Sequence, residues 1–130
     1  METNDLRIGN YVDCNKKRHN EKSIKVESMT FDKINVEFRE YNLSDLIPIH
    51  LTDKVLLNAG FKKREYDICD KWYIGENPVT HDWLFDITWI HGHPNPFYRN
   101  GFHEIKYLHQ LQNWFFLLSG GEELVFSTEP

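Results

Sequence analysis

The apolar and polar positions along this chain change period twice. Ile24, Val26 and Ser28 alternate with Lys25, Glu27 and Met29, and a period of two is that of a strand with one wet face. The earlier stretch "RIGNYVD" reads the same way, with Gly9-Asn10 as a turn or bulge signal. "INVEFREYN" sets Ile34, Val36, Phe38 and Glu40 against Asn35, Glu37, Arg39 and Tyr41. The spacing therefore predicts one strand, paired with the preceding one across a turn at Asp32-Lys33. "LSDLIPIHL" follows, and Pro48, lacking a backbone N–H, limits it to an edge strand or a break. Short strands joined by polar turns predict a small, strongly bent sheet or SH3-like barrel.

The period then becomes helical for "TDKVLLNAGF". Thr52 is a good N-cap, Asp53 suits the positive end, and Gly60 is a natural stop, so a helix of about two turns is expected. "REYDIC" and "KWYIGE" predict a hairpin turning at Asp70-Lys71, and Asn77-Pro78 marks a loop. "HDWLFDITWI" is the strongest strand, with Trp83, Phe85, Ile87 and Trp89 on one face. "HGHPNPFYRNG" has loop composition. "FHEIKYLHQLQNWFFLLSGG" is the best helix, with Ile105, Leu108, Leu111 or Gln112, Phe115 and Leu118 at helical spacing and Gly120-Gly121 as its stop. The fold class is α+β. A bent β module or SH3-like barrel occupies residues 1–51. Residues 52–130 form a helix and an antiparallel sheet packed by a C-terminal helix, and the two modules are expected to share one core.

Composition narrows the setting. Of 130 residues, 40% are apolar and 15% aromatic, so rings must build much of the core. The net charge of −5 argues against bulk attraction to nucleic acid or anionic membranes. The basic run Lys16-Lys17-Arg18-His19, continuing to Lys22, reads as a solvated hairpin loop rather than a phosphate patch. Cys14 and Cys69 allow at most one disulfide and form no CxxC. No apolar stretch approaches the ~20 residues needed to span a bilayer, and "METNDLRIGN" lacks a signal-peptide apolar region. A cytoplasmic protein with reduced thiols is expected.

The chemistry-bearing residues concentrate in "WIHGHPNPFYRNGFHE", residues 89–104. His91 and His93, two apart, would share one side of a strand and could hold a divalent metal such as zinc. His81, Asp82, Asp86 or His103 would be the third ligand. Gly92 and Pro94 interrupt that strand, so a polar loop is the competing reading. His103 and His109 are six apart, about 240° around a helix, which excludes a zincin pair. The His109 imidazole and the amides of Gln110, Gln112 and Asn113 read instead as partners for neighbouring backbone groups. No GxSxG elbow or Gly-rich phosphate loop appears, and Ser119 is ordinary helix-end chemistry. Asp82 and Asp86 would lie about 13 Å apart on one strand face, too far to share a proton. Trp89, Phe97, Tyr98 and Arg99, with His91, His93 and His103, are the side chains that would stack on a base, grip a phosphate or form a partner-binding patch.

Three segments, "NDLRIGNYV", "LSDLIPIHLT" leading to "AGF", and "IKYLHQLQNWFFLLSGGEEL", occur in that order. Together they resemble a group of small proteins encoded by phages and prophages of Bacteroidota that share an H-Q-L-Q-N C-terminal helix. The likeness covers most of the chain; its weakest part is 78–102, and "SGGEEL" carries two glycines where the group has one. The resemblance transfers no catalytic residues. It implies a phage-encoded accessory protein acting in the bacterial cytoplasm. The expectation is a non-enzymatic protein that inhibits or sequesters a host factor. That factor would be a host protein, or a nucleotide signal of host defence held in a pocket, one form of which lies between identical subunits. A metal-dependent enzyme using His91 and His93 and a scaffold without a discrete site are the alternatives.

Overall fold

The computed structural model describes residues 6–14, 24–29, 33–36, 39–80, 82–98 and 103–126. The basic run at 16–22, Asp32, His81 and Arg99 lie outside them. Strand β1 (Tyr11–Cys14) pairs antiparallel with β2 (Ile24–Lys25) on one side and β6 (Leu46–Ile47) on the other. β3 (Ser28–Met29) pairs with β4 (Lys33–Val36), and β4 with β5 (Arg39–Asn42). The segment 24–29 thus serves two small sheets. Val26 exchanges backbone hydrogen bonds with Gly9 and Asn10, while Glu27 N–H donates to Asn35 O. A 3-10 turn at Leu43–Asp45 carries the chain into β6. Pairing of the first strand with the last bends this module towards a barrel. Leu6, Val12, Cys14, Ile24, Val26, Ile34, Tyr41 and Leu46 fill it.

"INVEFREYN" is two strands, not one. The chain reverses between Val36 and Arg39, and Ile34 lies opposite Tyr41, with both buried. A period of two continues unbroken through a tight reversal, so the pattern alone set Tyr41 on the face opposite Ile34.

Helix α1 (Asp53–Asn58) forms as its signals require. Thr52 Oγ1 accepts from Val55 N at 3.2 Å, and Gly60 takes φ +89°, left-handed backbone that favours glycine. Then come β7 (Lys62–Glu65), β8 (Cys69–Glu76), β9 (Trp83–Ile90), β10 (Phe97–Tyr98) and β11 (His103–Glu104). They form an antiparallel sheet in the order β11-β10-β9-β8-β7. The first hairpin turns at Tyr66–Ile68, not at Asp70-Lys71. Asp70 and Lys71 are strand residues paired with Glu65 and Arg64, which sets like charge opposite like charge at both positions. Lys63 Nζ, 3.3 Å from Glu65 and 3.9 Å from Asp70, offsets the acidic pair.

Helix α2 (Leu108–Leu118) begins six residues later than the start of the helical-looking sequence. Phe97–Tyr98, expected in a loop, pairs with His103–Glu104 as a hairpin. Gln110 explains the later start: its Oε1 accepts from Lys106 N at 3.0 Å and Tyr107 N at 3.2 Å. These two bonds from the Gln110 side chain back to the preceding backbone fix the helix start at Tyr107. Leu108, Leu111 and Phe115 bury against Trp72, Phe85 and Ile87 of the sheet, in a second core that also takes Leu51, Leu56, Phe61, Ile105, Leu124 and Phe126. Fold class is therefore α+β, with the sheet covered by α2 on one face. Among the described residues no helix is long and apolar enough to cross a membrane.

A polar seam joins the two cores. Gln112, fully buried, accepts from Tyr11 N at 2.8 Å and donates to Gly9 O at 3.1 Å. Asn113 Oδ1 accepts from Asn10 Nδ2 at 2.9 Å and Arg7 Nε at 3.1 Å. The Arg7 guanidinium also lies 4.1 Å from the Phe116 ring centre and bonds Glu123. Two amides of the H-Q-L-Q-N stretch thus tie α2 to β1 and to the turn before it, and a third caps the helix.

Candidate functional site

β8 and β9 carry the residues of interest to one end of the large sheet. Cys69 pairs with Ile90, and His91 N–H donates to Ile68 O at 3.0 Å. The 66–68 turn and the 91–96 turn are therefore neighbours. At this end Ile68 (74%) and Tyr66 (47%) of the first turn and Ile90 (43%), the last residue of β9, are exposed. Exposed apolar side chains such as these contribute little to the core, so they are a property of the surface at this end of the sheet.

The expected site residues divide between this end and the helix. Trp89 is half-buried on the second core, and its indole N–H donates to His93 O at 2.8 Å. This bond holds the 90–93 turn, in which Gly92 takes φ +83°. His91 Nε2 lies 3.0 Å from Asp70 Oδ1. His93 Nδ1 lies 3.2 Å from Asn95 O, with its ring 4.6 Å from that of Phe97. The two imidazoles thus have separate partners, Asp70 and Asn95. Among the described residues, no group of three His, Cys, Asp or Glu side chains gathers as a metal-ligand set.

Tyr98 and His103 face the other way. Tyr98 stacks on Trp114 of α2 at 5.4 Å and 14° and contacts Phe85 at 5.3 Å. His103 lies 4.9 Å from the same Trp114. His103 belongs to β11 rather than to the helix entry, because the chain pairs Tyr98 with His103 before α2 begins. Trp89, His91, His93 and Phe97 therefore sit at the sheet end, while Tyr98 and His103 clasp the helix.

Sequence reasoning missed Asp70, Lys63, Tyr66 and Ile68. Asp70 was hidden by its assignment to a turn. Lys63 Nζ lies 3.3 Å from Glu65, 3.8 Å from Asp53 and 3.9 Å from Asp70. The hydrogen bond to Glu65, with the charges of Asp53 and Asp70, raises its pKa above the ordinary lysine value.

A cavity of about 270 Å³ opens beside β9, lined by Lys71, Leu84, Asp86 and Thr88 of the open face, by Trp83, and by Phe85 and Tyr98, which also contact the helix side. Lys71 Nζ donates to Thr88 Oγ1 at 2.5 Å and lies 4.0 Å from Asp86. Trp83 stacks on Tyr73 at 4.5 Å and 12°, with the Arg64 guanidinium 5.5 Å from its ring centre. Trp83 thereby joins the open face instead of the Phe85–Ile87 core face expected from alternation. Gly75 at φ +72°, beside Leu84, marks where the regular pattern gives way.

No protein-family model, no curated protein and no solved structure matches the chain. The class that fold and site define is an α+β protein with a barrel-like module fused to a helix-backed sheet, carrying an apolar, histidine-flanked sheet end.

Proposed function

We propose that this is a non-enzymatic binding protein that inhibits or sequesters a host protein, made by a phage or prophage. The setting rests on the sequence resemblance. The observation that supports binding is the exposure of Tyr66, Ile68 and Ile90 at one end of the sheet, where β7, β8 and β9 are paired and His91 and His93 lie beside them. Apolar side chains on a rigid scaffold, rimmed by polar groups, suit a protein partner, since little conformational entropy is lost when they are covered. Pull-down of the tagged protein from bacterial lysate, beside the double variant Ile68→Asp with Ile90→Asp, tests the reading. A partner retained by the parent and lost by a folded double variant is expected. Retention unchanged by the double variant removes this surface from the proposal. A small molecule or metal found bound by native mass spectrometry replaces the reading with the nucleotide or metal alternative.

A further inference from the structure

The edge strand β7 has a property the patch does not. It ends the strand order and, among the described residues, pairs with β8 alone. All four of its residues, Lys62–Glu65, are exposed. Tyr66 N–H donates to Cys69 O at 2.9 Å, which fixes Tyr66–Cys69 as a hydrogen-bonded pair. Antiparallel alternation then directs the backbone groups of Arg64 and Lys62 towards β8 and those of Lys63 and Glu65 outward. The register puts Lys62 beside Tyr73 and Arg64 beside Lys71, so three cations, Lys62, Arg64 and Lys71, share the open face of a protein whose net charge is −5. Of the nearby carboxylates, Glu65 and Asp70 lie with Lys63 on the opposite face. Asp86 stands 4.0 Å from Lys71, and Asp67 is in the turn.

We infer that β7 accepts an extended acidic segment of a partner protein as an added strand; the inference rests on the binding reading and names the partner's chemistry. The outward N–H and C=O groups of Lys63 and Glu65 supply the ladder. Partner residues opposite Lys62 and Arg64 fall at non-hydrogen-bonded positions on β7's outer side, where side chains approach most closely, and carboxylates there meet cations. Beyond Glu65 the added strand runs towards Tyr66 and Ile68, which offer apolar contact at its end. A second copy fits poorly. Antiparallel pairing of two β7 strands about Arg64 sets Arg64 against Arg64, and pairing about Lys63 sets Lys62 against Arg64. Charged edges of this kind discourage indiscriminate pairing while admitting a strand of opposite sign.

The test titrates isotope-labelled protein with a short synthetic peptide of alternating Glu and Thr. Amide shifts concentrated at Lys63 and Glu65, and affinity that falls with added salt, are expected. Lys62→Glu with Arg64→Glu should weaken binding by about tenfold or more. Glu65→Pro, which removes one outward N–H and leaves the β7–β8 ladder intact, should weaken it as well. The charge reversal, confined to exposed side chains, keeps the test decisive if Glu65→Pro does not fold. Equal binding of an alternating Lys and Thr peptide, shifts centred elsewhere, edge-mediated self-association without peptide, or displacement by a single-stranded oligonucleotide overturns the inference. A lysate partner that depends on Ile68 and Ile90 but not on Lys62 and Arg64 also overturns it and leaves the binding reading standing. Peptide bound at the edge, with no partner dependent on Ile68 and Ile90, does the reverse.

Discussion

Gln112 shows how much one side chain decides. It is fully buried, and its amide oxygen and nitrogen satisfy Tyr11 N–H and Gly9 C=O across the seam between the two cores. An unmet buried donor or acceptor costs about 1–3 kcal/mol, and here two would be orphaned together. Gln112→Ala should lower stability by about 3 kcal/mol, read as a shift of the urea midpoint at unchanged slope. The helical period ranks Gln112 as an alternative to Leu111 on the buried stripe. The amide chemistry of the stretch identifies it as a partner for backbone, but not which backbone. Gly9 and Tyr11 lie about a hundred residues away, and no local pattern connects them.

His91 and His93 behave differently at the same scale. Each makes one exposed polar contact, with Asp70 or with Asn95 O. Exposed pairs contribute about 0–1 kcal/mol. Replacing both histidines with Ala should therefore move the melting temperature by only a few degrees, measured by circular dichroism, while leaving the surface open to a change in binding.

At the scale of elements, signals held wherever the cause is local. Thr52, Asp53 and Gly60 bound α1 as expected. The alternation of 84–90 correctly separates Phe85 and Ile87 from Leu84 and Ile90. The misses share one origin: strand and helix ends set by partners rather than by composition. "INVEFREYN" folds back because Ile34 and Tyr41 can bury together. "FHEIK" is helical by residue type, yet His103 and Glu104 are claimed by Tyr98 and Phe97. The hairpin tip moved from Asp70-Lys71 to Tyr66–Ile68 because Asp70 and Lys71 are also held by Trp89 and Thr88 of β9, which keeps them in the ladder although they face the like charges of Glu65 and Arg64. The candidate site was legible as a segment but not as a surface. Its sequence names His91 and His93, whereas Ile68, in the β7–β8 turn, and Ile90, on β9, come to one end of the sheet only through the β8–β9 register.

At the scale of the molecule, two apolar clusters meet through polar and aromatic ties. Phe126, on the C-terminal segment, packs 5.1 Å from Tyr11, and Arg7 reaches Asn113 and Glu123. Such ties should make the two clusters unfold together. All four Trp residues lie between positions 72 and 114, and three of them, Trp72, Trp89 and Trp114, report on the second core. The buried Cys14 thiol reports on the first, in a Cys69→Ser background. Trp fluorescence and Cys14 thiol labelling should give one coincident transition. Phe126→Ala should move both probes together by about 3 kcal/mol; separated transitions would show that the seam does not couple the modules.

The sequence by itself determined the α+β class, the bent β module, the capped short helix, the core face of the longest strand and the amide-rich stretch as a structural element. Each follows from period, capping or side-chain valence within a few residues. Only the tertiary structure decided where 33–42 reverses, where α2 begins and which backbone Gln112 binds. It alone also brings Tyr66, Ile68 and Ile90 to one end of a sheet. Those outcomes depend on which distant groups can be buried or satisfied together, and that is set by strand register and packing rather than by neighbours along the chain.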